Sequence, residues 1–310
     1  MSTPVISVLM AVRNGIRFVN EAVTSILTQT ESRFEFLIID DGSTDGTAQC
    51  LEQIEDERVS VVRQDNVGLT KSLNRLLAKA RGQFIARMDA DDCSLPKRFS
   101  RQIDFLTRHP SAVAVGSDVI YMNEFGRRLF RRRMPSSHAE IEACHLSGWG
   151  GFLVHPSVMM RADAVREVGG YDESLTFCQD YDLWTRLALQ GQLANLPEPL
   201  LLYRYHDRSI SRNEHDRQNR FRDSILAGEL GRRGLSKPIP LSEKFRIRVE
   251  DCEWMMRQAA IDGCFQHCIQ RAAEMMRKRP KLALRCLKSL VLCSGKITAR
   301  HLALTMGAYK

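Results

Sequence analysis

Apolar positions fall first in a short run from Val5 to Ala11, continuous but for Ser7. They then recur at helical spacing as Ile16, Val19, Ala22, Val23, Ile26 and Leu27. The first pattern predicts a buried strand and the second an amphipathic helix. The alternation repeats along the next stretch. A strand over 34–40 stops in the turn DDGSTDG, a helix runs to about Ile54, and a strand spans Val59 to Arg63. A helix over 69–80 and a strand from Gln83 to Met88 follow. Strands and helices alternating at this interval predict crossover units, and hence an α/β fold with a mainly parallel sheet flanked by helices. Ligands of such sheets gather at the carboxyl ends of the strands.

Beyond residue 95 the rhythm changes. A helix at 96–107 precedes a strand over 112–122 and a ribbon that turns at Gly126 into RRLFRRRMP. Short strands are expected at 157–160, 193–196 and 200–205, with helices near 162–168 and 181–190. From about 213 the pattern is helical, interrupted by Pro238, Pro240 and Pro280, so the chain divides into a domain over 1–212 and a helical C-terminal extension over 213–310.

Composition sharpens that division. The chain has 310 residues, 44% hydrophobic and 26% charged, which fits an ordinary globular protein and excludes disordered or collagen-like classes. Its net charge of +8 is unevenly spread: residues 211–310 carry 21 Lys and Arg against 10 Asp and Glu, while the first 210 carry 24 against 27. A basic extension offers itself to anionic lipid, nucleic acid or an acidic partner, although a solvated helical surface explains it without any partner. Leu282, Ala283, Cys286, Leu287, Leu290 and Val291 share one helical face with Lys281, Arg285 and Lys288 off it, the pattern of a helix lying on a membrane or packed on a domain. Nine cysteines without CxxC pairs fit a reducing cytoplasm and form no zinc ligand set. The start MSTPVISVLM has no basic region or cleavage site, so it does not read as a signal peptide, and no stretch approaches a membrane span.

The candidate chemistry lies at the predicted strand ends. Asp89 and Asp91 follow the fourth strand; in an extended chain, residues two apart share a face, so the two carboxylates converge. Converging carboxylates repel unless a cation intervenes, and oxygen ligands suit Mn²⁺ or Mg²⁺. A solvated acidic turn accounts for the same residues. Asp40 and Asp41 close the second strand, where carboxylates can accept from base N–H groups and ribose hydroxyls while Gly42 admits a ligand close to the backbone. Helix capping by Ser43, Thr44 or Asp45 is compatible with that role.

SVLMAVRNG, FLIIDDGSTDGT, ARMDADD, GGYDESLTFCQDYDLWTRL and LLYRYHDRSIS occur in the order found in family 2 glycosyltransferases, and the resemblance covers about residues 4–212. It implies a GT-A-type Rossmann-like fold and an inverting sugar transfer from a nucleotide diphosphate donor, UDP being the usual base. Asp41 resembles the family's nucleobase-binding aspartate, with Asp40 beside it and Ala11 and Arg13 following the first strand. Asp89 and Asp91 match the DxD pair, Asp89 nearer the ribose and Asp91 the metal. Asp180 occupies the place of the catalytic base, though an N-cap for the following helix explains it too. His206 matches a histidine that completes the metal or diphosphate site in relatives. Gln179 stands where relatives carry Glu, and Arg13 where they often carry an aromatic ring. Trp149 and Gly150 are candidates for stacking on an acceptor sugar, the alternative being a core tryptophan; Trp184 reads as core. Without QxxRW or spans, a single-addition hexosyl- or N-acetylhexosaminyltransferase acting on a glycan or lipid-linked acceptor is implied. The basic tail is then a candidate for peripheral contact with the inner face of a cell membrane.

Other classes fit less well. A sugar nucleotidyltransferase wants a Gly-rich basic loop after strand one, where AVRNG has one glycine. A receiver module is shorter, with its acidic pair after the first strand. A non-catalytic nucleotide-sugar-binding relative would lack the need for an intact Asp91 and Asp180. The arginine-rich ribbon lacks a nucleic-acid recognition fold, so no nucleic-acid partner is expected.

Overall fold

The computed structural model describes residues 3–206 and 215–240. The expected membrane-facing helix at 281–291 and most of the 213–310 extension lie outside the described residues. Among the described residues nine strands form one sheet: β1 (Ile6–Val12), β2 (Phe34–Asp41), β3 (Val59–Gln64), β4 (Phe84–Arg87), β5 (Cys93–Ser94), β6 (Ala112–Asn123), β7 (Arg128–Arg132), β8 (Met159–Arg161) and β9 (Gln192–Tyr205). Their order is β3-β2-β1-β4-β8-β6-β9-β5, with β7 paired to β6. The first four strands are parallel. The second half is mixed: β8 runs antiparallel to both β4 and β6, while β6 and β9 are parallel.

Side-chain alternation gives the sheet two buried faces. Ile6, Val8, Met10 and Val12 of β1 and Phe34, Phe36 and Ile38 of β2 share one core with helix α1 (Val19–Leu27), whose Val19, Ala22, Val23 and Ile26 point inward. Ile16, placed by its spacing with that stripe, precedes the helix and is 41% exposed. Leu9, Leu37 and Ile39 face the other core, which takes Leu73, Leu76 and Leu77 of helix α3 (Leu69–Lys79) and Leu183, Trp184 and Leu187 of a later helix. Between these lie α2 (Thr47–Glu52), α4 (Arg98–Arg108), α5 (His138–Leu146), α6 (Ala162–Glu167) and α7 (Gln179–Leu187). Trp184 is fully buried, as its helical position implied.

The two short strands expected at 193–196 and 200–205 are one strand, β9. Prolines interrupt its hydrogen bonding but do not end it, because Pro197 and Glu198 are looped out of the pairing with β6: Leu196 pairs with Ser117 and Pro199 with Asp118. Arg131 closes the bulge by donating to the Pro197 carbonyl at 2.6 Å. Helix α8 (His215–Arg232) packs Leu226 and Leu230 onto Leu146 of α5, and Arg233 joins Glu142 and Glu229. Among the described residues no helix is long and apolar enough to cross a membrane.

Candidate active site

β4 ends at Arg87, and the chain then turns, with the Asp92 amide reaching the Asp89 carbonyl at 3.5 Å. The extended geometry invoked for Asp89 and Asp91 is therefore not what brings them together. A turn does so, and it adds Asp92: carboxylate oxygens of Asp89, Asp91 and Asp92 lie within 4.8 Å of one another. Burial raises the pKa of Asp89, and the charge of Asp91 adds to this while the Arg87 guanidinium, paired with Asp89, opposes it. Asp92 is raised well above the carboxylate range by burial and then by its two acidic neighbours; its Oδ2 is buried without a hydrogen-bond partner.

Arg204 of β9 and His206, just after the strand, hold this turn. Arg204, 2% exposed, donates from Nε to the Asp91 carbonyl at 2.7 Å, and its backbone amide donates to Asp92 Oδ1 at 2.7 Å. Its remaining nitrogens reach Glu21 and the Glu124 carbonyl, and the guanidinium lies 4.5 Å from the Phe18 ring centre. His206, two residues on, places Nε2 at 2.9 Å from Asp91 Oδ2 and packs its ring against Phe18 at 4.9 Å.

Asp180 lies in the first turn of α7. The residue before that helix, Cys178, adopts φ 57° and occupies the cap position itself, so Asp180 is not the N-cap. Its Oδ1 accepts from the Tyr181 amide at 2.8 Å. Burial raises its pKa, partly opposed by the backbone amides of Tyr181 and Asp180; nearby Asp89 raises it further and Arg87 lowers it. Asp180, Asp89 and Asp91 line one cavity of about 580 Å³, together with Arg87, Trp149 and Gly150. Trp149 is 44% exposed there, flanked by Gly148 and Gly151 at positive φ, so it is not a core residue.

The other five predicted residues, His206 and four that surround the first two strand ends, do not line that cavity. Asp41 Oδ1 accepts from Gln64 Nε2 at 2.7 Å and the Val67 amide at 2.9 Å, and Oδ2 accepts from the Gly68 amide at 2.9 Å. Burial alone would raise its pKa, but the bonds from Val67, Gln64, Gly68 and Ser72 outweigh it and keep the carboxyl below the ordinary value. Asn66, with its amide turned to satisfy both neighbours, donates to Asp41 Oδ2 at 2.9 Å and accepts from Arg13 at 3.3 Å. Arg13 thus joins the Asp41 loop, whose next residue after Gly68, Leu69, reaches the cavity edge. Asp40 turns to the opposite sheet face, where its Oδ1 accepts from the Ser43 amide at 3.1 Å and Arg63 lies 3.6 Å from Oδ2. Ala11 packs beside the α3 core. Cross-ties between the two loops fix their spacing: the Asn14 amide donates to Ser43 Oγ and the Gly15 amide to Thr47 Oγ1, each at 2.9 Å.

Sequence reasoning missed Asp92, Arg87 and Arg204. Asp92 was not singled out because alternation along an extended chain pairs only Asp89 with Asp91, and the turn abolishes that alternation. Arg204 sits beside His206 in YRYH, and its fully buried charge was the signal available only with the fold. Gln218, Asn219 and Arg222 of α8 also line the cavity, although they belong to the stretch assigned to a separate extension.

Comparison with known proteins accords with this arrangement. Residues 7–169 match the family model described as glycosyl transferase family 2. The chain belongs to glycosyl transferase family 2. It is a glycosyltransferase, with a mixed α/β sheet and flanking helices of the GT-A kind. It is 32% identical over 219 residues to the O-antigen biosynthesis glycosyltransferase WbnJ of Escherichia coli, covering 67% of this chain and 82% of that protein. It is 36% identical over 147 residues to the amylovoran biosynthesis glycosyltransferase AmsE of Erwinia amylovora, covering 47% and 54%. Among solved structures, S. aureus TarS (residues 1–349) in complex with UDP-GlcNAc has a similar fold, with a TM-score of 0.58 and 17% identity over 93% of this chain and 89% of that one.

Proposed function

We propose that this glycosyltransferase is a single-addition inverting enzyme. On this reading it takes a sugar from a UDP-sugar with help from a divalent cation and passes it to a glycan or lipid-linked saccharide. The observation that carries the reading is the shared cavity of Asp180 with Asp89 and Asp91. The donor class is supported by the UDP-GlcNAc complex of TarS, and the acceptor class by the polysaccharide roles in the names of WbnJ and AmsE.

The acidic turn fits a hard cation. It offers oxygen donors only, within one ion's reach, and the Asp92 oxygen without a partner together with the upward-shifted carboxyls leaves negative charge uncompensated. Asp89 and Asp91 are the proposed ligands, Asp92 and His206 completing or orienting the set; Mn²⁺ or Mg²⁺ suits the donors. When bound, such an ion neutralises charge on the departing diphosphate.

Asp180 does the proton chemistry in this reading. Its carboxylate accepts the proton of an acceptor hydroxyl as that oxygen bonds to the anomeric carbon. The bond from that carbon to the diphosphate oxygen breaks with its electron pair leaving on UDP, so configuration inverts and no covalent enzyme intermediate forms. Partial burial suits the base, because a raised pKa strengthens its hold on the proton. Asp41, with Arg13 and Ala11 on its side of the sheet, forms the proposed base-binding end, while Asp40 on the opposite face braces the turn through the Ser43 amide; the bonds of Asp41 to 64–68 preorganise that loop, and a base N–H would share Oδ2. The test is turnover of a panel of nucleotide sugars with and without Mn²⁺, beside Asp91→Ala and Asp180→Asn. Loss of transfer in both variants is expected; undiminished transfer by Asp180→Asn would overturn the mechanism.

A further inference from the structure

Among the described residues, the most exposed large apolar side chain is Phe125, 76% exposed, in the hairpin that joins β6 to β7. Residues 124–133 hold five arginines and one glutamate. β4 and β6 are both antiparallel to β8, so they run the same way, and the hairpin tip leaves the sheet at the strand ends where the acidic turn follows β4. Arg204 touches both features, donating to the Asp91 carbonyl at 2.7 Å and to the Glu124 carbonyl at 3.2 Å. At the root of the hairpin, Tyr121 and Arg132 line the cavity that holds Asp180.

The tip is a closed turn. Asn123, buried, accepts at Oδ1 from the Phe125 amide at 3.1 Å and the Arg127 amide at 2.9 Å, and its carbonyl accepts from the Gly126 amide at 3.0 Å. Three successive backbone donors are thus satisfied within the loop, as a segment entering a water-poor interface requires. The acid of the tip is neutralised, since Glu124 pairs with Arg17. Arg127 and Arg128 are exposed, and among the described residues neither pairs with a carboxylate. Arg131 differs, being held by Asp118. An aromatic ring beside two long cationic side chains matches the boundary of a bilayer with anionic headgroups. The ring leaves water at the acyl boundary, while the arginine stems lie along it and their guanidinium forks reach phosphates. A wet polar interface, with nucleic acid or an acidic protein, would use the same arginines but asks neither for an apolar tip nor for amides closed on Asn123.

We propose that the turn over 124–128 docks this protein on an anionic phospholipid surface, with Phe125 entering the interface beside Arg127 and Arg128. Docked in this way, the strand ends that carry the acidic turn lie next to the lipid. The turn is a different segment from the basic extension, and its docking does not depend on the proton chemistry of Asp180.

The experiment sediments the full chain with vesicles of phosphatidylcholine, alone or with about 30 mol% phosphatidylglycerol. Binding to the anionic vesicles is expected to be at least about tenfold tighter than to the neutral ones. Arg127→Gln, Arg128→Gln and Phe125→Ser should each weaken it about fivefold and leave the melting temperature unchanged. A Phe125→Trp variant should gain fluorescence that brominated lipid quenches, beyond the quenching of the unmutated chain, which reads entry of the tip itself. Full-strength binding by all three weakening variants would place the lipid affinity in the extension and overturn the proposal. No binding at about 1 mM anionic lipid, or no added quenching, would overturn it too. Weakening in the arginine variants but not in Phe125→Ser, with competition by DNA, would replace the lipid with a polyanion.

Discussion

Arg204 Nε donates to the carbonyl oxygen of Asp91 at 2.7 Å, so a strand from the far half of the sheet fixes the turn that follows β4. Arg204→Ala removes that bond, the contacts with Glu21 and Glu124, and the packing on Phe18. The expected cost is about 3 kcal/mol, discounted from the upper range for buried pairs because Glu21 is exposed. Urea denaturation measures it. Mn²⁺ titration should show at least about tenfold weaker binding if Arg204 sets the carboxylate geometry.

Asp180→Asn separates catalysis from stability. Loss of the base should lower kcat by about 10²–10⁴. The same change should raise the melting temperature at neutral pH, because the folded carboxyl binds its proton more tightly than the unfolded one and its ionised form is the costly one. Below the folded pKa that advantage should vanish. Correspondingly, the acidic limb of kcat/KM should fall at a pH above the ordinary aspartate value of about 3.9. A variant melting below the unmutated protein at neutral pH would contradict the burial argument.

Cation binding should be visible without turnover. At a Mn²⁺ concentration of about 100 Kd, stabilisation of about 2.7 kcal/mol is expected, a shift of several degrees in melting temperature. Asp91→Ala should abolish it. Asp92→Asn should raise the melting temperature in chelator, by relieving a buried carboxylate with an unpartnered oxygen, while weakening the response to Mn²⁺.

His145, outside the cavity lining but packed on Tyr181, gives a second pH signature. Burial, with a smaller push from His138, lowers its pKa to about 4. The unfolded chain takes up a proton near pH 6.5 and the folded chain does not, so stability should fall by about 1.4 kcal/mol per pH unit as pH drops from 6.5 towards 4. Above 6.5 this contribution is constant. Denaturation midpoints of His145→Gln across that range should show a shallower slope.

The parallel half was legible because each strand from β1 to β4 carries its own apolar run and each intervening helix its own stripe; local pattern determines them. Asp89 and Asp91 stood out by their place at a predicted strand end and Asp180 by the family resemblance, and the fold brings the three to one cavity. Asp92 was hidden by treating 89–92 as extended chain. The continuity of β9 was hidden by two prolines, which sequence rules read as an end and the sheet absorbs as a bulge. The α8 wall depends on Phe177, Cys178, Gln218 and Phe221 meeting across some forty residues, a pairing that no local period encodes. Trp149 kept both readings until its exposure was seen.

The grip of β9 on the β4 turn also sets an order of events during synthesis. A ribosome releases the first four parallel strands more than a hundred residues before Arg204 and His206 emerge, so the loops around Asp41 can form while the acidic turn still lacks its two fasteners. The nascent chain therefore gains the β1–β4 scaffold early and the fastened turn over 89–92 last. A polypeptide stopped before residue 204 should therefore lack both bonds that hold the turn after β4.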